Sequence, residues 1–521
     1  MHVIIPMSGL GSRFVQDGYT MPKPLIKVDG KPMIEHVVNL FPNETKITFI
    51  CNDTHLRETS MEHILRHIVP SCTIREVSVK NRQGPVDAVY QIREMIEDDE
   101  EVIVSYCDYG TTWDYQSFLN DVRGAKADGA IAYYTGFHPH LLGPDNYAFM
   151  KTNENNELVE IREKEMFGTD KMNEKSSNGT YYFRTGGLLK TYFKKLMDSN
   201  IRVNNEFYVS MVYNHMVQDN HRVRLFQIEK MLQWGTPRDL EIYKDWSSYF
   251  HKIKTIKQTK PSDILNTTLI LPMAGHGSRF SAKNYNLPKP LLPIRDTPMI
   301  MEAVNQLPET TNKIFICLEQ HDNVFDICKI IEGRYENTSC VTVSGVTQGQ
   351  ACTCELGIMD QHIDMESPIL ISACDNGVYY DVDKYQKLLL DEQNDVIVWG
   401  FKNNQASVVN PDMYAWLDVD ENDNINGVSC KKYPYDDDPR NHSAIIGTMF
   451  FRKARYFMEG LQECYKNKTM TNGEYYVDNV IQENINSGLR IKLFNVEHYI
   501  CWGTPGDYET YNYWDDHFCE K

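Results

Sequence analysis

The sequence predicts an α/β protein in which one fold is built twice in tandem, each copy a mixed, mostly parallel sheet flanked by helices and carrying a small β subdomain. Three observations predict it. Short apolar runs alternate with helical stretches in a βαβα order, which implies an open, largely parallel sheet. A glycine-rich stretch follows the first apolar run directly, at residues 7–25, MSGLGSRFVQDGYTMPKPL. The same stretch returns at 273–291 as MAGHGSRFSAKNYNLPKPL, with Arg279 266 residues after Arg13.

The repeat holds along the whole chain. Gln83-Gly84 matches Gln348-Gly349, Asp108-Tyr-Gly110 matches Asp375-Asn-Gly377, and Asn146-Tyr147-Ala148 matches Met413-Tyr414-Ala415. Lys164 matches Lys431, Glu206 matches Glu474, and Trp234-Gly-Thr-Pro matches Trp502-Gly-Thr-Pro. The offset drifts only between 265 and 268, the mark of an internal duplication. Residues 251–266, HKIKTIKQTKPSDILN, are polar and Lys-rich and read as a fairly extended linker. The expected organisation is a domain over 1–250, the linker over 251–266, and a second domain over 267–521.

Taken in order, residues 2–6 read as a buried strand and 46–51, KITFIC, as a second. Residues 55–68 read as helix and 73–79 as an alternating strand. Residues 85–96 read as helix, with Pro85 suited to a first turn and Val86, Val89 and Tyr90 sharing a face. Residues 101–107, EVIVSYC, read as a buried strand ending on Asp108, and 129–135 as another. Past Thr135 the pattern changes. Residues 147–150, 158–163 and 180–184 read as short strands, 206–217 as a helix and 222–228 as a strand. This region reads as a lid or substrate-side subdomain, and the second half repeats the plan. Ligands of such sheets sit beyond the carboxyl ends of the strands, where the glycine loop and Asp108 both fall.

Composition bounds the partners. The 521 residues suffice for two or more cores, and 41% hydrophobic with 24% charged residues is ordinary for a globular protein. No run of about 18 apolar residues occurs, so no membrane span or membrane partner is expected. A strand beginning at His2 leaves no room for a signal peptide. The thirteen cysteines have no framework spacing, and Cys352-Thr-Cys354 lacks the spaced partner pair of a zinc site. They read as mostly buried thiols in a reducing cytoplasm. The net charge of −19 argues against nucleic acid. It also repels a phosphorylated substrate at long range, so a site for one must supply local Lys and Arg.

A strand that breaks into a glycine-rich loop aims successive backbone N–H groups at an anion. Gly9, Gly11 and Ser12 form such a loop, and Arg13 and Lys23 add positive charge beside it. Asp108, at a strand end, is placed to hold Mg²⁺, which bridges phosphate oxygens. Transfer at phosphorus needs positioning and fixed positive charge more than covalent help. The set therefore suffices for attack by a phosphate nucleophile on the α-phosphate of a nucleoside triphosphate.

The order G-x-G-S-R-F, P-K-P-L, Q-G, strand-terminal Asp, E-K, N-G-x-Y and W-x-T-P resembles the sugar-1-phosphate nucleotidylyltransferases, over nearly the whole chain and twice. The resemblance implies two Rossmann-like nucleotidyltransferase domains that join an NTP to a phosphorylated sugar and release pyrophosphate. Such a product is an activated precursor for surface polysaccharide or glycoconjugate synthesis. It implies that Gly9, Gly11, Ser12 and Arg13 bind the triphosphate, Lys23 contacts the α-phosphate, and Gln83 and Gly84 face the base. Asp108 would bind Mg²⁺, Glu163 the sugar, Lys164 its phosphate, and Gly179 and Glu206 would line the sugar pocket. The matching positions are Gly275, Gly277, Ser278, Arg279, Lys289, Gln348, Gly349, Asp375, Lys431, Gly447 and Glu474.

The chain departs from the family where a second metal-binding Asp precedes the late Gly-Thr: Gln233 stands there in one half and Cys501 in the other. Glu163 becomes Cys430 and Asn178 becomes Ile446, so the second half is expected to take another substrate or none. Asp239 and Asp507 read as helix caps in Thr-Pro-x-Asp. Three other readings stay open. One is a cytidylyltransferase acting on a phosphorylated alcohol or amine. Another is one catalytic half beside a nucleotide-binding, non-catalytic half. The third is a glycosyltransferase of the GT-A kind, which would need Asp-x-Asp at the strand end. The chain is expected to work as a monomer whose internal repeat replaces a homodimer, or as a homo-oligomer.

Overall fold

The computed structural model describes residues 1–78, 83–255, 265–404, 407–408 and 410–519. The chain divides into two compact units, Met1–Ser248 and Tyr249–Lys521. The linker expected over 251–266 begins inside the helix Pro237–Thr255, and its residues 256–264 lie outside the described ones.

The first unit is organised by strand His2–Met7. It lies between Val102–Ser105 and Lys46–Asn52, parallel to both, with Thr73–Val77 parallel at the far edge. On the other side Lys175–Phe183 runs antiparallel to Val102–Ser105. That strand also carries Ala148–Thr152, with Leu158–Glu163 beyond it, and Gly129–Tyr134, with Val223–Gln227 beyond it. The short substrate-side strands thus extend the main sheet through one long strand, and the described residues form a mixed sheet of nine strands.

Alternation along the first strand sorts its side chains onto two faces. Val3 and Ile5 pack with Ile34, Val37, Met61, Leu65 and Phe118 from helices on one side. Ile4 packs with Val86, Val89, Leu189, Phe193 and Val212 from helices on the other. A central strand buried on both faces must be apolar throughout, which is why it reads as an unbroken hydrophobic run.

The second unit repeats the register: Thr268 faces Asn312 as His2 faces Lys46. Its sheet runs Thr338–Val343, Asn312–Leu318, Thr268–Met273, Ile369–Ile371, Ala444–Phe451, Val396–Phe401, Ile491–Asn495. Ala415–Val419 and Ile425–Cys430 attach through Ala444–Phe451.

Local differences from the sequence reading have local causes. The helix expected over 55–68 is two helices, Asp53–Glu58 and Met61–Ile68. The Asn52 side chain caps the first, and Thr59 Oγ1 donates to His55 O at 2.6 Å where it ends. The helix expected from Glu206 begins at Val209, because Asn204 and Asn205 both take left-handed backbone and turn the chain first. The strand expected over 73–79 is Thr73–Val77, and residues 79–82 lie outside the described ones. The cysteines were expected as free thiols. Eleven are, none fully exposed, but Cys328 and Cys340 are joined with Cys317 beside them.

Candidate active site

In the first unit the carboxyl ends of the parallel strands open onto a cleft of about 360 Å³. Gly9, Gly11, Ser12, Arg13, Lys23 and Asp108 line one part of it; Glu163, Lys164, Gly179 and Glu206 line another. Gly11 precedes the short helix Ser12–Gln16 with φ 62°, ψ 35°, and Gly277 does the same before Ser278–Ser281 at φ 62°, ψ 32°. A β-carbon on Gly11 would stand 3.3 Å from Lys23 Cβ, so the glycine supplies both the left-handed turn and room for the lysine.

Lys23 and Asp108 are 85 residues apart in sequence and meet as an ion pair in the cleft. Lys23 Nζ also donates to Gly235 O at 2.8 Å. The second unit forms the same pair, Lys289–Asp375. Burial pulls the Lys289 ammonium down, but Asp375 and two nearby thiols more than offset this and hold it above its usual value. Lys289 keeps its charge, and each lysine is paired with the one carboxylate the sequence marks for a cation.

On the acceptor side, Lys164 takes left-handed backbone at φ 61° and Lys431 at φ 55°. Such strain in a non-glycine residue, kept in both copies, marks a constrained position. Each lysine N–H donates to a recurring tyrosine carbonyl, Lys164 to Tyr147 O at 2.8 Å and Lys431 to Tyr414 O at 2.9 Å. Lys164 Nζ donates to the Tyr208 hydroxyl at 2.8 Å. Burial pushes the Glu163 carboxyl up, against the opposing pull of its Ser210 hydrogen bond and the charge of Lys164. Ser210 Oγ donates to Glu163 Oε2 at 2.6 Å. Asn178 Oδ1 accepts from Thr180 N at 2.9 Å, while its buried Nδ2 has no protein partner.

Gln83 and Gly84 are the exceptions: they do not line the cleft. Gln83 Oε1 accepts from Arg202 Nη2 at 2.6 Å, and Gln83 O accepts from Phe207 N at 2.7 Å. Gly84 has φ 102°, and a β-carbon there would collide with Phe207 N at 2.7 Å. The pair clamps the segment that carries Glu206 and Tyr208. Gln348-Gly349 repeats the clamp against Tyr475: Tyr475 N donates to Gln348 O at 2.8 Å. Conversely, Tyr106, Tyr147, Tyr181 and Tyr208 line the cleft without having been singled out. The recurrence of Tyr147 as Tyr414 and Tyr208 as Tyr476 was the signal for two of them.

The donor set can be tested against a divalent cation. A β-carbon at Gly235 would lie 3.2 Å from Asp108 Oδ2 and 3.3 Å from Gln233 Oε1, so two oxygens converge on one point. Carboxylate and amide oxygens suit a hard ion such as Mg²⁺. At Gly503 the matching atoms are Asp375 Oδ2 at 3.2 Å and Cys501 Sγ at 3.3 Å. Burial and the neighbouring Asp507 and Asp375 push the Cys501 thiol up, and it donates to Asp507 Oδ2 at 3.4 Å. A neutral thiol is no ligand for Mg²⁺, which leaves Asp375. Asp239 and Asp507 each accept from the threonine three residues before, at 2.7 Å, as helix-start residues.

A family model described as nucleotidyl transferase matches residues 2–231. The bifunctional protein GlmU of Buchnera aphidicola subsp. Schizaphis graminum is 23% identical over 232 residues, 44% of this chain and 46% of that protein. The chain thus spans about half the length of the curated relative it matches. Among solved structures, a nucleoside-diphosphate-sugar pyrophosphorylase from Vibrio cholerae RC9 is 19% identical over 46% of this chain and 98% of its own, with a TM-score of 0.38. An inositol-1-phosphate CTP transferase from T. maritima is 16% identical over 50% of this chain and 98% of its own, with a TM-score of 0.37. No described helix is long and apolar enough to cross a membrane.

Proposed function

We propose that this chain, whose residues 2–231 match the nucleotidyl transferase family model, is an enzyme that joins an NTP to a phosphorylated sugar and releases pyrophosphate, making an activated sugar in the cytoplasm. The observation that carries the reading is the Lys–Asp pair beside a glycine loop, found once in each half. The loop of Gly9, Gly11 and Ser12 faces the triphosphate with its N–H groups, and Arg13 stands exposed at its edge. Lys23, held beside Asp108, presents its charge to the oxygens of the α-phosphate, where it offsets the negative charge that develops during transfer. An oxygen of the sugar phosphate attacks that phosphorus, and the bond to the bridging oxygen of the pyrophosphate breaks. Lys164 holds the incoming phosphate, while Glu163 accepts from a sugar hydroxyl and Asn178 Nδ2 donates to another. Asp108 with Gln233 would hold Mg²⁺, which neutralises phosphate charge when bound.

Removing one preorganised cation from such a site costs on the order of 10²–10³ in rate. In the full chain, Lys23→Met should lower first-half turnover by about that factor, read as pyrophosphate release over a panel of NTPs and sugar phosphates. An unchanged rate would refute the assignment.

A further inference from the structure

At the positions matching the acceptor side of the first cleft, the second unit loses a carboxylate where Glu163 lines that cleft and gains one where the buried Ser210 packs against Glu163. In the first unit Glu163 ends strand Leu158–Glu163, and Ser210 is the second residue of helix Val209–Gln218. The repeat puts Cys430 at the end of strand Ile425–Cys430 and Asp478 second in helix Val477–Asn486. The two positions remain in contact: Cys430 Sγ donates to Asp478 Oδ2 at 3.8 Å, where Ser210 Oγ donates to Glu163 Oε2 at 2.6 Å. The frame around them is kept. Lys431 repeats the left-handed backbone of Lys164, and its Nζ lies 5.6 Å from the Tyr476 ring centre, as Lys164 Nζ lies 4.7 Å from that of Tyr208. The acid and its small partner have exchanged elements.

The exchange changes what the pocket offers. A thiol is a weak donor, so Asp478 retains most of its capacity to accept from a ligand. Both Asp478 and Cys430 are half-buried, not sealed. Asn178, with its spare buried donor, is replaced by Ile446, which is 4% exposed and has none. The first pocket therefore presents an acceptor and a donor to its ligand. The second presents an acceptor beside an apolar wall.

We propose that Asp478 is the acceptor-binding carboxylate of the second half, and that this half takes a phosphorylated alcohol less hydroxylated than the first half's substrate. A deoxy sugar phosphate or a phosphorylated short polyol fits, with one hydroxyl on Asp478 and carbon against Ile446 and Cys430. The inference rests on the reading of each half as a nucleotidyltransferase site.

The test uses the full chain carrying Lys23→Met, so that turnover reports the second half, and the full chain carrying Lys289→Met for the first. Both are assayed for pyrophosphate release over four NTPs against fully hydroxylated and deoxy sugar phosphates and phosphorylated polyols. The expected result is a different acceptor ranking for the two chains, with the deoxy or polyol compounds preferred by the Lys23→Met chain. Adding Asp478→Asn to that chain should raise the acceptor KM about tenfold with the NTP KM unchanged, since a hydrogen bond to a charged acceptor becomes one to a neutral amide oxygen. The exchange Cys430→Glu with Asp478→Ser should restore binding and move the ranking toward that of the first half. Unchanged acceptor KM in Asp478→Asn, identical rankings, or a silent Lys23→Met chain beside an active wild type would each overturn the inference. A wild-type chain inactive on every pair would instead overturn the underlying function.

Discussion

Lys23 and Glu163 show what a single residue contributes here. Lys23 sits between a carboxylate and a backbone carbonyl, so its charge is positioned before any substrate arrives. Little reorganisation is then needed at the moment of reaction. Glu163 is held differently. Burial raises its carboxyl, so its folded value stands above its unfolded one, and ionisation weakens the fold as pH rises through the carboxylate range. Glu163→Gln should therefore raise the thermal midpoint at pH 7–8, and the gain should vanish below about pH 4, where both states are protonated. The same variant should bind acceptor more weakly. Melting curves across pH check the first outcome; a midpoint gain that persists at pH 3.5 would contradict it.

At the scale of elements, the site is made where secondary structures stop. The central strand ends in the glycine loop, its neighbour ends just before Asp108, and the strand ending at Glu163 meets the start of a helix at Ser210. One late helix begins at the cleft with Thr236, whose Oγ1 donates to Asp239 Oδ2 at 2.7 Å and accepts from Asp239 N at 3.2 Å. This reciprocal cap satisfies a free N–H at the helix start. Thr236→Ala should cost about 1 kcal/mol in urea unfolding of the chain. A loss near zero would mean that solvent caps the helix equally well. The elements also explain the clamp at Gly84. Its Q-G signature was legible, but its role was not, because the pair's partner at Phe207 lies more than 120 residues away.

At the scale of the molecule, two units each carry a complete loop, lysine and aspartate. Sites with no shared residues behave additively. The product profile of the full chain should equal the sum of those of the Lys23→Met and Lys289→Met chains, and the double variant should fall to background. A double-variant rate well above background would show a third route to the product. The negative charge of the chain leaves binding of phosphorylated substrates to local cations, and Arg13, Lys23 and Lys164 gather them in the first cleft.

The sequence by itself determined the duplication, the alternation of strands with helices, the glycine loop and the placing of that loop and Asp108 at the ends of strands. These follow from short-range rules: alternation marks strands, glycine marks the turn, and parallel strands deliver their ends to one edge. Only the tertiary structure decided that Gln83-Gly84 packs against Phe207, that Glu206 leaves its helix, and that Asp478 stands across from Cys430. Those outcomes depend on which distant elements come within hydrogen-bond range of each other, and no local pattern encodes that distance.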